Sequence, residues 1–510
     1  MASEHRSIWI PADATERYRP LAGDVTADVV VVGAGITGLT CAWLLQRDGR
    51  DVVVLDSHRV GTGTTGHTTG KVTSQHGLAY QRLVNEHGED VARLYGEANQ
   101  HAVDTVARIA GEVRVDPDAI STVPTYVHTC DAGFVPRLEQ EASVARRLGL
   151  PASLADGREV GLDGVLAAVR FDGQRLLDAY RYVAAIASAL EDGGARIHEH
   201  SGVLTEDEDD TGVTVRTADG SVRAQHSVIA TLLPITNAGL FFARTRASRA
   251  YGLAARLAGQ RDVPVTITAE EPTRSTRPWR ADDGAPGVIV VGEQHETGTR
   301  SSTRPHYAAL EAWARTSFDV TSVEATWSAQ DYRTVDQRPY VGRAPTRRRT
   351  WVATGYRKWG LTNGTAAAEV LAALIAGRGH PWARLYDSSR VGGARALGRA
   401  AMDNSKVGAH FVGDRIGRLR AGRVDELRPG EGGIVRQDGQ TVGAYRAPDG
   451  GLHGVELTCT HLGCSLSWND AETTWDCPCH GSRFGHDGTV LQGPATRGLA
   501  QVDLEATPPS

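Results

Sequence analysis

Lysine is nearly missing from this chain. Only Lys71, Lys358 and Lys406 are lysines among 55 basic residues; the rest are arginine. Codon bias in a GC-rich genome accounts for most of that. Even so, two of the three fall in glycine-rich segments, and an ammonium is a compact charge whose pKa moves readily. Long apolar runs are absent too. No stretch approaches the ~20 apolar residues of a membrane-spanning helix, so no membrane span is expected. The opening M-A-S-E-H-R-S-I-W-I has no apolar core of an export signal, which makes a cytoplasmic location the expectation. A formal charge of −6 gives no electrostatic case for a nucleic-acid partner. No internal repeat is visible, and 510 residues imply more than one domain.

Cysteine is scarce but clustered. Of Cys41, Cys130, Cys459, Cys464, Cys477 and Cys479, four lie within 21 residues near the C-terminal end. A secreted disulfide framework would spread them over a small chain, so the cluster reads as a metal site.

Residues 27–56 read as strand, glycine turn, helix and strand. A-D-V-V-V-V is a β-branched run suited to a buried parallel strand. G-A-G-I-T-G is the turn, and Gly49 stops the helix. An amphipathic helix is expected over about 76–110 and another over 175–190. Alternating strand patterns follow at 195–204, 213–217 and 222–230, with a further strand at 287–292. Residues 350–376 read as strand, glycine turn and helix. Composition shifts over 387–406, the expected linker. Beyond it, short strands with turns at D-G, P-D-G-G and H-D-G have the texture of a small all-β domain.

Gly33, Gly35 and Gly38 form a GxGxxG that follows a strand and opens a helix. Asp56 ends the next strand, placed to accept hydrogen bonds from an adenosine ribose. That is the whole context of a dinucleotide turn, in which backbone approaches a pyrophosphate at a helix N-terminus. NAD and FAD are not separated by it. The chain resembles the D-amino-acid-oxidase-like FAD-dependent oxidoreductases, which include sarcosine and dimethylglycine dehydrogenases. The likeness runs from residue 27 to about 377. It is carried by F-D-G-Q-R-L-L-D-A-Y, S-V-I-A-T-L at 227–232, D-Q-R-P-Y-V-G at 336–342 and A-T-G-Y-R-K-W-G-L-T-N-G-T-A at 353–366. The resemblance implies that the last segment lies near the flavin ring, through Gly355, Lys358, Trp359, Gly360, Leu361 and Thr362. The usual A-T-G is A-T-L here, so Leu232 stands where the resembling family has glycine.

A second GxGxxG, Gly61 to Gly66, lies within V-G-T-G-T-T-G-H-T-T-G-K at 60–71. The residues after it do not look like a nucleotide-binding helix. In the resembling dehydrogenases a similar segment lies beside the isoalloxazine. The resemblance therefore implies flavin contacts from Gly63, Thr65 and His67. His67 occupies the position that carries a covalent bond to the flavin, although Gly66 replaces the usual Trp before it. A non-covalent histidine lining the flavin site is the alternative.

C-T-H-L-G-C at 459–464 and C-P-C-H-G-S-R-F-G at 477–485 supply Cys459, His461, Cys477 and His480. Two loops that each give one thiolate and one imidazole suit a Rieske [2Fe–2S] cluster, with two Cys on one iron and two His on the other. Zinc suits the same donor set, but the flanking motif is specific to Rieske domains. Cys464 and Cys479 resemble the pair that forms a disulfide in respiratory and photosynthetic Rieske proteins. Such a bond is uncommon in a reducing cytoplasm; shielding by the cluster would resolve the tension. Ser482 matches the hydroxyl that hydrogen-bonds a cluster sulfide. Phe484 stands where high-potential relatives have Tyr, so a lower potential is expected. G-P-A at 493–495 resembles the proline loop that covers the cluster.

The expected architecture is an α/β FAD-binding Rossmann-like domain with an interleaved α+β substrate domain, followed by a small all-β Rieske domain. Residues 20–386 would form the oxidoreductase. Its FAD-binding parts would be about 20–76, 150–235 and 335–386, and its substrate parts about 77–149 and 236–334. Residues 387–406 would be the linker and 407–510 the Rieske domain. The expected function is flavin-dependent oxidation of an amine or amino-acid-like substrate at a C–N bond. Electrons would pass from FAD to the cluster and on to a one-electron acceptor, a protein or quinone. The alternative is an NAD(P)H-linked reductase using the same two centres. A Rieske-type oxygenase is disfavoured, because about 30 residues after His480 leave no room for its iron domain. Lys358, Lys71 and Tyr332 are the candidate catalytic residues, with Arg249, Tyr251, His295, Gln330 and Asp331 as weaker pocket candidates.

Overall fold

A computed structural model of the chain describes residues 5–12, 15–300, 302–391 and 421–504. Two large sheets make up the first three quarters of the chain, and two small ones the rest.

The first large sheet is built on Gly23–Val32. Its last four residues are valines, all buried: Val29 and Val31 pack under helices Ile36–Arg47 and Gly360–Ile375, and Val30 and Val32 pack on the other face against Val203, Val213, Val215 and Phe241. Gly23–Val32 pairs in parallel with Val52–Leu55 on one side and Gly220–Ile229 on the other. Thr350–Thr354 and Arg196–His198 extend the sheet in parallel, and Tyr340–Arg343 closes one edge antiparallel. Helix Ile36–Arg47 packs against helix Gly360–Ile375. Gly364 permits this approach, since a Cβ there would lie 2.5 Å from the Thr37 hydroxyl.

The second large sheet is mostly antiparallel. Val320–Thr334, Thr245–Leu257, Pro286–Glu296 and Arg274–Arg280 are neighbours in that order, and Thr266–Thr268, Ile120–Thr129 and Ala167–Leu177 continue it. Two expected boundaries change here. Ala152–Ala155 and Ala167–Leu177 pair within this second sheet, so its share reaches about residue 177 rather than ending at 149. The helix expected from 175 is Ala179–Asp192, because the Asp178 side chain caps it by accepting from Arg181 N at 3.0 Å. The helix expected over 76–110 is two, Tyr80–His87 and Glu89–Glu112, divided at Gly88 with φ +87°.

The start of the expected linker belongs to the first body. Arg390 bonds both oxygens of Asp336, at 2.6 and 2.9 Å, and Asp336 is fully buried. Residues 392–406 of the expected linker, and 407–420 and 505–510 of the expected Rieske span, lie outside the described residues.

The small domain consists of a three-stranded sheet (Gly432–Gln437, Gln440–Arg446, Leu452–Val455) and a four-stranded one (Ser467–Asn469, Thr474–Asp476, Arg483–Gly485, Val490–Gln492). Its own core is small, centred on Trp475, Phe484, Leu457 and the four clustered cysteines. Among the described residues no helix is long and apolar enough to cross a membrane.

Candidate cofactor sites and their seam

A cavity of about 470 Å³ opens at the end of the parallel sheet and runs beneath the second sheet. Gly33, Gly35 and Asp56 line one end. Gly33 has φ +108°, and a Cβ there would lie 2.6 Å from the Ala230 carbonyl oxygen. A Cβ on Gly38 would collide with Gly33 O at 1.9 Å, so Gly38 serves helix–strand packing from behind the wall. The Asp56 carboxylate accepts from Ala34 N at 2.7 Å and His58 N at 2.8 Å. Burial pushes its pKa up, and those two amides pull it back. A carboxylate fixed beside a helix N-terminus, with backbone held bare by glycine, fits a dinucleotide's ribose and pyrophosphate.

The second GxGxxG opens a short 3₁₀ turn, Thr64–His67, not a helix. Gly61 and Gly66 are packing positions: added Cβ atoms would lie 2.6 Å from Val183 Cγ2 and 2.4 Å from Gly61 O, respectively. Gly63, Thr65 and His67 line the cavity. His67 Nδ1 bonds Gly63 O at 2.9 Å, and the His67 carbonyl accepts from Trp327 Nε1 at 3.0 Å. Burial lowers the His67 pKa. The N-terminal segment clamps this loop through Trp9 Nε1, which donates to Thr68 O at 2.6 Å.

At the other end, Lys358, Gly360 and Leu361 line the cavity, while Gly355, Trp359 and Thr362 stand behind it. Trp359 stacks on His76 at 4.7 Å, and Thr362 donates to Thr73 O at 3.2 Å. Gly355, at φ +83°, is pressed against Thr334. Arg357 and Lys358 both hold left-handed backbone, φ +56° and +71°. Asp331 fixes that turn by accepting from Lys358 N. The Lys358 ammonium donates to Gln294 Oε1 at 2.8 Å, and desolvation at the cavity wall lowers its pKa to about 8. Burial raises Asp331 to about 6. Leu232 also lines the cavity and keeps φ +65° where the resembling family has glycine.

Several candidates lie elsewhere. Lys71 is outside the cavity; its ammonium donates to Thr266 O at 2.6 Å and to Ser275, and burial lowers its pKa to about 7. Tyr332, Arg249, Tyr251 and His295 are also outside. Alternation along Thr245–Leu257 explains two of these. Ala250 and Gly252 face the cavity, so Arg249 and Tyr251 face away. Of the weaker candidates, Gln330 and Asp331 do line it. Trp327, Val291 and Ile235 line it as well, and no local motif marks them; Tyr356, inside the A-T-G-Y-R-K-W-G segment, lines it too.

The two cluster loops share one turn geometry. Cys459 N donates to Cys464 O and Gly463 N to Cys459 O, both at 2.9 Å; Cys477 N donates to Ser482 O at 2.8 Å and Gly481 N to Cys477 O at 3.0 Å. Cys459 and Cys477 are both buried, unbridged and in side-chain contact. The His461 and His480 rings are 5.1 Å apart and perpendicular. His461 Nδ1 is buried without a hydrogen-bond partner, as a metal-binding nitrogen should be. Paired thiols beside paired imidazoles fit a [2Fe–2S] cluster. Cys464 and Cys479 are joined by a disulfide, which takes them out of the donor set. The Ser482 hydroxyl accepts from Ala495 N at 3.1 Å, which leaves its proton to donate toward Cys459. Phe484 is fully buried and brings no hydroxyl.

The small domain closes the cavity. Val490, Leu491, Gln492, Gly493, Ala495 and Thr496 complete its wall, and Leu491 O meets His58 Nε2 at 3.1 Å. The proline loop at 493–495 thus stands between Ser482 and the cavity. An ionic lock secures the seam. Arg249 Nη2 and Arg483 Nη2 bond the same Glu472 oxygen at 2.6 and 2.7 Å, and Ser328 donates to the other at 2.8 Å. Burial alone would raise the Glu472 pKa, but the two arginines hold it at about 2. Asp470 accepts from Thr303 N at 2.9 Å and from the Ser302 hydroxyl at 2.7 Å, tying the segment before helix Arg304–Ser317 across the seam.

Comparison with known proteins agrees with both halves. The FAD dependent oxidoreductase family matches residues 28–374, and the Rieske [2Fe-2S] domain family matches 417–503. The Bacillus subtilis Rieske 2Fe-2S iron-sulfur protein YhfW is 31% identical over 513 residues, covering 99% of this chain and 100% of that one. Gamma-glutamylputrescine oxidoreductase of Escherichia coli is 28% identical over 235 residues, 45% of this chain and 54% of its own. The crystal structure of glycine oxidase from Geobacillus kaustophilus shares the fold, with TM-score 0.61 and 16% identity over 72% of this chain and all of that one. From the glycine turn at Gly33 through the helix at Gly360, this chain belongs to the FAD dependent oxidoreductases, and its C-terminal part is a Rieske [2Fe-2S] domain.

Proposed function

We propose that this chain oxidises an amine or amino-acid-like substrate at a C–N bond and delivers the electrons, one at a time, to an acceptor protein or quinone. Bound FAD supplies two-electron chemistry and a bound [2Fe–2S] cluster one-electron chemistry. The observation that carries the reading is the seam: the Rieske domain forms part of the wall of the flavin cavity. The names of the relatives, an oxidoreductase of gamma-glutamylputrescine and a glycine oxidase, favour the amine class.

The chain's own residues divide the work. Gly33, Gly35 and Asp56 hold the dinucleotide end. The 63–69 turn and Trp327 bound the ring end. Lys358 supplies a positive charge beside the ring or an anionic substrate group. Asp331 holds the strained turn that presents it. His67 is the residue through which a covalent flavin link would run. Gly63 holds Nδ1, so Nε2 is the nitrogen available for the bond. Flavin colour retained by acid-precipitated protein would establish the link; complete release would exclude it.

The test is anaerobic mixing of the purified holoprotein with a panel of amines and amino acids. At least one should bleach the flavin band. Bleaching by NADH alone, and by no amine, would replace this reading with that of a reductase.

A further inference from the structure

Domains joined by a linker move relative to one another unless their interface is large and well packed. Here the second cluster loop, 477–482, is gripped by the flavin-binding body at three points. Gly298, at φ +72°, sits so close that a Cβ on it would lie 2.7 Å from Pro478 N. Phe242 stands edge-on to the His480 ring, centroids 4.9 Å apart. Gly481, at φ +77°, has room for no side chain: a Cβ would lie 2.6 Å from Ala247 Cβ, 2.7 Å from Gln330 Nε2 and 2.9 Å from the Tyr332 hydroxyl.

The polar contacts at this grip are fully specified. Gln330 Nε2 donates to Gly481 O at 2.8 Å and to the Tyr332 hydroxyl at 3.1 Å. That hydroxyl donates to His480 O at 2.9 Å. Gln330 Oε1 accepts from Thr297 at 2.7 Å, which fixes the amide's orientation. Gln330 O accepts from Thr64 at 3.1 Å, and Thr64 belongs to the turn that lines the flavin cavity. Gln330 and Tyr332 are buried at 2% and 1% exposure. A continuous chain of bonds therefore links the cavity wall to a cluster-ligand residue. A buried network with every member satisfied holds one geometry.

We propose that Gln330 and Tyr332 are positioning residues for electron transfer between the two centres: they hold the His480 loop against the flavin cavity and form the bonded route between them. This rests on the flavin-to-cluster reading above. In that reading, two electrons leave the reduced flavin in two single transfers, and the one-electron acceptor takes each from the cluster in turn.

The test uses the full-length holoprotein. The flavin is reduced by an anaerobic light flash with EDTA as donor, and the cluster band is followed in wild type, Tyr332→Phe and Gln330→Met. Rates are taken per cluster counted by electron paramagnetic resonance, so that lower cluster loading does not mimic a slower step. Electron tunnelling slows with each added ångström of separation and with loss of a bonded route, and we expect cluster reduction to slow several-fold in each variant. The g-values of the dithionite-reduced cluster should also move in Tyr332→Phe. Variants as fast per cluster as wild type, with only the melting temperature lowered, would overturn this inference and leave the flavin-to-cluster reading standing. A wild-type cluster that stays oxidised after the flash would remove both.

Discussion

The two cofactor sites are built in opposite ways. The cluster site draws its four donors from 22 consecutive residues, 459–480, on two matched turns. The flavin cavity draws its wall from residues 32 to 496, nearly the whole chain. The first is closed by short cross-links in a domain with little core of its own. The second is open backbone and glycine supported by two large sheets. The small domain therefore depends on the large one at the seam, and the large one depends on the small one only to complete a wall.

The seam lock should show the largest effect. Glu472→Gln leaves Arg249 and Arg483 buried with a weakened partner, and breaking such a network costs about 3–5 kcal/mol. We expect the small domain to melt at a lower temperature than the large one, as two resolved calorimetric transitions. The lock is also pH-dependent. Glu472 is depressed from 4.5 to about 2, so its stabilisation is complete above about 4.5 and is lost as pH falls toward 2. An unchanged single transition in the variant would break the contrast between a dependent and a self-sufficient domain.

Removing the Cys464–Cys479 disulfide probes the small domain alone. Its closed loop spans a separation of 15 residues, worth about 3 kcal/mol. The double Ser variant should lose cluster content on warming while flavin content holds. Concurrent loss of both would show that the cavity depends on the cluster loops more deeply than the seam implies.

Lys358→Met probes the large site alone. Loss of a solvent-exposed cation at the cavity wall should lower the flavin midpoint potential by at most about 30 mV, equivalent to about 1.4 kcal/mol for a two-electron couple, because water screens the charge. In wild type the same contribution should fade as pH rises through about 8, where Lys358 loses its proton. The cluster's potential should not change.

Leu232→Gly should have the smallest effect. Relief of left-handed backbone is worth about 1–2 kcal/mol, and the added freedom of glycine in the unfolded chain offsets about 0.5–1 of it. A slight rise in the melting temperature is expected.

What the sequence made legible follows the same contrast. Cys459, His461, Cys477 and His480 were readable because ligand chemistry fixes residue type and spacing within a short segment. Gly33, Gly35 and Asp56 were readable because strand, turn and helix are local. Ala250, Gly252, Val291 and Trp327 were not, since a strand's inward face depends on pairing with distant strands. The same limit misplaced Lys71 in the flavin site and moved the sheet boundary from 149 to about 177. Tyr332 was singled out from its neighbours in sequence, but its partner is the His480 carbonyl, 148 residues away. No pattern on one strand announces a contact with another domain.

The central claim is that flavin and cluster work as one unit across the seam. It is tested most directly by freeze-quenching the wild-type holoprotein after anaerobic reduction of its flavin, by a substrate amine or by light, and recording the Rieske paramagnetic signal over time. The account predicts a signal that grows as the flavin gives up one of its two electrons, leaving the flavin half-oxidised until an external acceptor is added. A reduced flavin beside a persistently silent, oxidised cluster would contradict it.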